Sequence, residues 1–157
     1  MDMRIRRFKE TDVFAVADLA MRTFQKYNGL DFYDEEAITN TLDYFDTTKN
    51  TKERLLEKFS KKSIFFIAED SDGIAGMING VPNRISSLFV ESCKQGKGIG
   101  KMLLEKFEIE AKACGSSYVS IESSLYAVDF YRRMGFHQTS DIVNHMGLKV
   151  YLMEKEL

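Results

Sequence analysis

One stretch of the chain decides the fold: residues 88–101, which read Leu88-Phe89-Val90-Glu91-Ser92-Cys93-Lys94-Gln95-Gly96-Lys97-Gly98-Ile99-Gly100-Lys101. The first three residues favour a strand, and apolar residues at helical spacing follow the glycines. A glycine-rich turn between a strand and a helix lets several backbone N–H groups point at one anion, and the helix dipole adds a favourable potential. The stretch therefore predicts a phosphate or pyrophosphate site, with a purely structural glycine turn as the alternative.

Two common phosphate motifs do not fit this turn. A P-loop has four residues between its first glycine and Gly-Lys-Ser/Thr, whereas three separate Gly96 from Gly100, and Met102 cannot hold magnesium. A dinucleotide fingerprint has a glycine three residues after the position of Gly98, where this chain has Lys101. That fingerprint also belongs at the start of a chain, whereas several predicted elements precede this turn.

The predicted elements around the turn alternate in type. Upstream they are a strand, up to three helices and three strands; downstream they are a helix, a strand, a short helix and a closing strand. The bounds are Met3–Phe8, a helix capped by Thr11 or Asp12, a helix from near Asp34, Thr51–Phe59, Ile64–Ala68, Ile74–Asn79, Ile85–Val90, Gly100–Cys114, Tyr118–Ile121, Leu125–Met134 and Val150–Met153. Cys114 is expected on the buried face of its helix. This order predicts an α/β fold with a mixed sheet.

Composition excludes several classes of protein. The chain has 157 residues, of which 44% are hydrophobic and 29% charged, with a formal net charge of −2. This predicts one globular domain over residues 1–157 and no nucleic-acid partner, because nucleic-acid binding usually needs a basic excess. Two cysteines, Cys93 and Cys114, predict reduced thiols rather than a disulfide scaffold. No apolar run suits a membrane span or signal peptide, so the expected location is cytoplasmic; no metal-ligand pattern is visible.

Two motifs in order carry a family resemblance. The pattern Gln95-x-x-Gly98-x-Gly100 resembles the acyl-CoA pyrophosphate motif of the GNAT superfamily of N-acetyltransferases. Residues 127–136, Ala-x-x-Phe-Tyr-x-x-Met-Gly-Phe, are similar to the second motif of that superfamily. The resemblance covers the chain from about Ile64 to its end. It implies a mostly antiparallel mixed sheet flanked by helices, in which a central strand pair is splayed apart.

The resemblance also implies the co-substrate and its contacts. Acetyl-CoA would lie between the splayed strands, with its pantetheine arm paired to the backbone of Leu88 and Val90 and its pyrophosphate on the glycine turn. A substrate amine would attack the thioester directly, without a covalent enzyme intermediate. The residues implied in binding acetyl-CoA are Leu88, Phe89, Val90, Gln95, Gly96, Lys97, Gly98, Ile99, Gly100, Lys101, Ser124, Ala127 and Tyr131.

The resemblance implies a general acid more clearly than a general base. Tyr131 matches the general acid of the family, which protonates the departing thiolate, and the alternative is a packing residue on the helix. Arg84 stands where some members carry a glutamate base, so the base lies elsewhere, acts through water or is absent. Glu122 and Glu69 are candidate bases, and each is also typical of a solvated strand end. Ser124 replaces a frequent asparagine that reaches the cofactor.

The acceptor side is expected in the N-terminal helices. Residues 27–48 contain acids and aromatics but no lysine or arginine. Such a surface would attract a cation, which favours a small amine, a polyamine or a lysine-like acceptor, and Tyr27, Asp31, Phe32 and Tyr33 are candidate contacts. The alternative is a solvated helix face whose aromatics pack in the core. A protein or peptide amine and a homodimer are also consistent with the resemblance, and a non-catalytic acyl-CoA sensor is the alternative function.

Overall fold

A computed structural model describes residues 2–27, 33–145 and 148–157, except the side chains of Tyr27 and His145. The helices in this part of the chain are α1 (Val13–Tyr27), α2 (Glu35–Phe45), α3 (Lys52–Ser60), α4 (Ile99–Ala113) and α5 (Val128–Arg133). The strands are β1 (Arg4–Arg7), β2 (Ile64–Asp70), β3 (Gly73–Val81), β4 (Arg84–Val90), β5 (Tyr118–Ser124), β6 (His137–Gln138), β7 (Val143–His145) and β8 (Leu148–Glu156).

The strands form one sheet in the order β1-β2-β3-β4-β5-β8-β6, with β7 also paired to β8. The β4–β5 pair is parallel, and the other described pairs are antiparallel. The α4 residues Leu103 and Phe107 pack with Ile78 on one face of the sheet. The α1 residue Val16 packs with Met77 on the other face, because successive side chains of a strand point to opposite sides. The predicted mixed, mostly antiparallel α/β fold is confirmed.

The two edges of β4 are paired to different extents. Its edge toward β3 is paired from Arg84 to Val90, with a bulge at Ser86 where the register shifts between Asn79 and Gly80. Its edge toward β5 is paired only at Arg84 and Ile85, opposite Ser120 and Ile121. Beyond these residues the two parallel strands separate, which confirms the predicted splay. We call the β5-facing side of residues 86–90 the open edge.

The sequence-based expectation for Cys114 was wrong. Helix α4 ends at Ala113, and Cys114 is the exposed residue that caps it. Gly115 follows with a φ of 90°, a left-handed conformation that ends the helix. The helical repeat therefore cannot be extended to Cys114. In the described ranges, no helix has both the length and the apolar character required to cross a bilayer.

Candidate active site

A cavity of about 640 Å³ opens where β4 and β5 separate. Every residue predicted to bind acetyl-CoA lies on its wall, apart from Lys97, which is exposed. The wall residues from the predicted set are Leu88, Phe89, Val90, Gln95, Gly96, Gly98, Ile99, Gly100, Lys101, Ser124, Ala127 and Tyr131. Segments far apart in the chain thus meet around one cavity, because the open edge, the glycine turn and α5 all border the gap between the two strands.

The glycine turn, residues 94–101, presents backbone donors to this cavity. Gly96 and Gly98 have φ values of 77° and 81°, which favour glycine. Among the described residues, no backbone carbonyl accepts from the amides of residues 96–101. Those of the first turn of α4 are the orphan donors of a helix start, and Gly98 at the N-cap provides no capping side chain. Unpaired amides and the positive end of a 15-residue helix suit a phosphate group.

The lysines near the turn differ in their partners. Lys94 forms ion pairs with Asp70 and, at 3.0 Å, with Asp72 in the β2–β3 turn, and it holds the pKa of Asp70 below its ordinary value. Lys101 lines the cavity and lies 3.9 Å from Glu105 on the surface of α4. The charge of Lys94 is therefore used to join the glycine turn to a neighbouring hairpin, and Lys101 is the lysine of the turn that faces the cavity.

Helix α5 packs closely against the start of α4. A Cβ atom at Gly100 would lie 3.3 Å from Cζ of Phe130, a tight contact with the ring. Phe130 in turn meets Tyr131 edge-on, with ring centroids 5.2 Å apart. The absence of a side chain at Gly100 therefore brings the two helices together at the cavity wall.

Tyr131 combines burial with a free hydroxyl. Its side chain is 4% exposed, and its ring also packs edge-on against Phe136, with centroids 5.4 Å apart. The hydroxyl makes no hydrogen bond to any residue that the structure describes. Burial raises the pKa of Tyr131 above its ordinary value of 10, so the phenol is protonated at neutral pH. It can donate a proton and cannot act as a base there.

The two candidate bases do not lie on the cavity wall. Glu69 ends β2, where it pairs with Arg4 and, at 2.9 Å, with Arg6. Hydrogen bonds from Arg6 and Arg4 lower the pKa of Glu69 to about 2, which makes it a very weak proton acceptor. Glu122 lies in β5 opposite Leu152 and is half-buried. It shares a strand face with Ser124, which does reach the cavity.

Tyr33 belongs to a packed aromatic cluster on the α1–α2 side. Its ring is parallel to that of Phe24, with centroids 6.0 Å apart, and both are buried. Burial raises the pKa of Tyr33, and its interactions with Ser124 and Leu125 partly oppose that rise. Tyr33 thus lies close to Ser124, which lines the cavity. Of the other predicted acceptor contacts, Asp31, Phe32 and the side chain of Tyr27 lie outside the described residues.

Three described acids of the predicted acceptor surface have local roles. Asp34 caps α2 by accepting from the Ala37 amide at 2.8 Å. Asp43 pairs with Lys49 at 2.7 Å, and Asp46 accepts from the amide of Thr48 at 2.8 Å. None of these three carboxylates lines the cavity. Their placement agrees with the alternative of a solvated helix face.

Several residues of the wall were not predicted. They come from α1, from the loop before α5 and from α5 itself: Thr23, Tyr126, Asp129, Phe130, Arg133 and Met134. Phe130 and Met134 belong to the second sequence motif, which could have identified them. Thr23 lies 73 positions before Gly96, and no motif surrounds it.

Comparisons with known proteins agree with this geometry. Residues 30–157 match the family model of the acetyltransferase (GNAT) domain. The curated IAA acetyltransferase of Azospirillum brasilense is 31% identical over an alignment of 91 residues, and the match covers 52% of this chain. The chain spans 60% of the length of that relative.

Solved structures share the fold over the whole chain. The GCN5-related N-acetyltransferase "Aminotransferase, Class-II" from Rhodopseudomonas palustris has a TM-score of 0.81 at 20% identity, covering 100% of this chain and 99% of its own. The PaiA N-acetyltransferase from Thermoplasma acidophilum, in complex with coenzyme A, has a TM-score of 0.76 at 21% identity, covering 100% of both chains. At these identities the likeness concerns the fold.

Proposed function

The chain belongs to the GNAT acetyltransferase family, and we propose that it moves the acetyl group of its co-substrate, acetyl-CoA, to a primary amine by direct attack in a ternary complex. One observation carries the proposal: the open edge and the unpaired amides of the glycine turn border a single cavity. An unpaired strand edge can bind an extended chain with amide groups, and the turn can bind phosphate. A pantetheine arm joined to a pyrophosphate has both chemistries.

The proposed contacts follow these two features. The backbone of Leu88 and Val90 pairs with the pantetheine arm, and the amides of residues 96–101 hold the pyrophosphate. Gln95 donates from Nε2 to the Val90 carbonyl at 3.2 Å. A donor of the bound pantetheine arm can replace this side-chain donor. Ser124 and Ala127 border the other side of the gap.

Tyr131 is the proposed general acid. Acetyl-CoA supplies an activated acyl group: the C–N bond to the amine forms as the C–S bond breaks. The Tyr131 phenol, which is protonated at neutral pH, donates its proton to the departing thiolate. The phenol recovers a proton from water after the products leave.

The proton of the attacking amine goes to water in this proposal. Neither Glu69 nor Glu122 lies on the cavity wall, and Glu69 is paired with two arginines. An unassisted amine must lose a proton before it can attack, and an alkyl ammonium has a pKa of about 10.4. We therefore expect kcat/KM for the amine to rise about tenfold per pH unit from pH 7 to pH 9.

The acceptor is a small amine, a polyamine, a lysine-like compound or an amine of a protein or peptide. Contacts from Tyr27, Asp31 and Phe32 stay predictions. Asp34, Asp43 and Asp46 have local roles. The proposal of a cationic acceptor therefore has less support than the broader proposal of a primary amine. A single domain over residues 1–157, a cytoplasmic location and a homodimer also stay predictions.

Release of free thiol from acetyl-CoA tests the proposal. A library of cationic, neutral and peptide amines would be supplied to the protein, and mass spectrometry of the products would locate the acetyl group. Thiol release matched by an acetylated amine is the expected result. Acetylation of neutral or anionic acceptors only would contradict a cationic acceptor.

A non-catalytic acyl-CoA sensor is the second candidate, favoured by the absence of both candidate carboxylates from the cavity wall. Calorimetry with acetyl-CoA distinguishes the two, since a sensor binds it without turnover across the library. Binding without thiol release would therefore replace the enzyme by the sensor. A protein that binds no acetyl-CoA would contradict both functions.

A further inference from the structure

Thr23 brings a buried hydroxyl without a partner to the cavity wall. The residue lies near the end of α1, is 7% exposed and lines the cavity. Within the described part of the chain, its Oγ1 atom has no hydrogen-bond partner. Asn79 Oδ1 is in the same condition, but Asn79 does not line this cavity. Thr23 therefore joins a missing partner with access to a ligand site.

The helix itself could have supplied the missing partner. A threonine inside a helix commonly donates to the carbonyl four residues earlier. Thr41 in α2 does so, with Oγ1 2.9 Å from the Ala37 carbonyl oxygen. Thr23 does not make this bond, although Leu19 stands four residues earlier in α1. The hydroxyl of Thr23 is thus left available for a group outside the helix.

The position of Thr23 is fixed by its neighbours. Arg22 pairs with Glu91 at 2.6 Å, which ties this turn of α1 to the end of β4. Phe24 is buried in a cluster to which Phe89 of β4 contributes. Tyr131 belongs to the core on the other face of the sheet. Thr23 and Tyr131 consequently reach the gap between β4 and β5 from opposite faces.

We propose that the Thr23 hydroxyl donates a hydrogen bond to the acyl carbonyl oxygen of bound acetyl-CoA. The inference rests on the proposed function, because it needs an acyl-CoA in this cavity. A thioester carbonyl oxygen accepts hydrogen bonds, and the Thr23 hydroxyl is a donor without a partner among the described residues. Rotation about Cα–Cβ exchanges the positions of the hydroxyl and the methyl group, so the donor can turn toward a ligand.

Other roles fit the hydroxyl less well. An aliphatic hydroxyl is far too weak a base to take a proton from an ammonium group. The amides of the pantetheine arm are the proposed partners of the open edge, which has its own backbone groups. The acyl carbonyl is present in acetyl-CoA and absent from CoA, so comparing the two ligands isolates the proposed contact.

Isothermal titration calorimetry with acetyl-CoA and CoA tests the inference on four proteins: wild type, Thr23→Val, Thr23→Ser and Thr41→Val. Thr23→Val keeps the shape and removes the hydroxyl, and we expect acetyl-CoA affinity to fall about fivefold while CoA affinity stays unchanged. Thr23→Ser keeps the hydroxyl and should bind both ligands like wild type. Thr41→Val makes the same change away from the cavity and should alter neither affinity.

Thermal unfolding of the free proteins provides a second readout. Thr23→Val replaces an unpartnered buried hydroxyl by a methyl group, so its Tm should rise or stay level. Thr41→Val removes an existing hydrogen bond, so its Tm should fall. Weaker binding by a Thr23→Val protein that is at least as stable as wild type cannot be attributed to misfolding.

Several outcomes would overturn the inference. Unchanged acetyl-CoA affinity in Thr23→Val, an equal loss for CoA, or a loss in Thr23→Ser as large as in Thr23→Val would each do so. In all three cases wild-type binding of acetyl-CoA leaves the proposed function standing. Failure of the wild type to bind acetyl-CoA would instead overturn both the proposed function and the contact.

Discussion

The two edges of β4 belong to the same residues but differ in how far each edge is paired to its neighbouring strand. Toward β3 the strand is paired from Arg84 to Val90 with one bulge at Ser86, whereas toward β5 the pairing stops after Ile85. Most residues of the first edge are therefore paired within the sheet. Those on the open edge border the cavity, where the Val90 carbonyl accepts a hydrogen bond from Gln95 Nε2. The binding site therefore arises from pairing that the sheet leaves out, next to pairing that holds β4 in place.

Gly76 in β3 and Gly98 in the glycine turn show the same contrast, between closely packed backbone and open space. On the paired edge, a Cβ at Gly76 would lie 3.0 Å from the Phe89 carbonyl oxygen and 3.1 Å from Leu103 Cδ1. In the glycine turn, a Cβ at Gly98 would meet nothing within 4 Å. Gly76 is required for close packing, whereas Gly98 is required for its positive φ. Substitutions at the two positions should consequently damage different properties.

The largest expected effect lies beside the open edge. Tyr131→Phe should lower kcat about 100-fold, because it removes the proposed proton donor. The Tm and the Kd for acetyl-CoA should stay unchanged, because the hydroxyl has no partner among the described residues. Steady-state kinetics and calorimetry measure both. Tyr118→Phe, at the paired start of β5, is the matched control, and a Tyr131→Phe enzyme within threefold of wild type would remove Tyr131 from the mechanism.

The next effect concerns the paired edge. Gly76→Ala should lower the free energy of unfolding by about 2 kcal/mol, because the methyl group presses on backbone as well as on Leu103. Urea denaturation measures it. The loss should appear in free and ligand-bound protein alike. A variant of wild-type stability would show that β3 and β4 can move apart, against the contrast between the edges.

A smaller effect separates the two ends of α4. Gly98→Ala and Gly115→Ala both place a Cβ in open space at positive φ, at 81° and 90°. Each should cost about 1 kcal/mol of stability, since the left-handed conformation disfavours a side chain. Gly98→Ala should also weaken acetyl-CoA binding about fivefold, because the amides of the turn lose their alignment. Equal acetyl-CoA affinities in the two variants would contradict the phosphate-binding role of the turn.

The smallest effect is the pH response of the β1–β2 ion pairs. The pKa of Glu69 is about 2 in the folded protein, below its ordinary 4.5. A lowered pKa stabilises the fold above pH 4.5, and this contribution is lost as the pH falls toward 2. Glu69→Gln should therefore show a shallower loss of stability over this range than wild type. Urea titrations at successive pH values test this, and identical slopes would contradict it.

Local patterns predicted the elements that form the site, and long-range packing determined the rest. Strand, glycine turn and helix follow one another at residues 88–101, so their order could be predicted from the sequence. The partner of Lys94 was not, because Asp70 and Asp72 reach it through the β2–β3 turn. Thr23 joins the cavity only because α1 packs against β4, an approach that no local pattern encodes.

The ion pairs of Lys94 have a consequence for the entropy of binding. The Lys94 side chain is 14% exposed and that of Asp70 3%, so this link between the glycine turn and the β2–β3 hairpin is largely shielded from solvent. Conformational freedom of the turn is lost during folding, before any ligand arrives. The ligand then does not have to immobilise the turn, and a preorganised loop binds more tightly for the same contacts. An acidic hairpin whose Asp70 and Asp72 lie off the cavity wall thereby favours ligand binding.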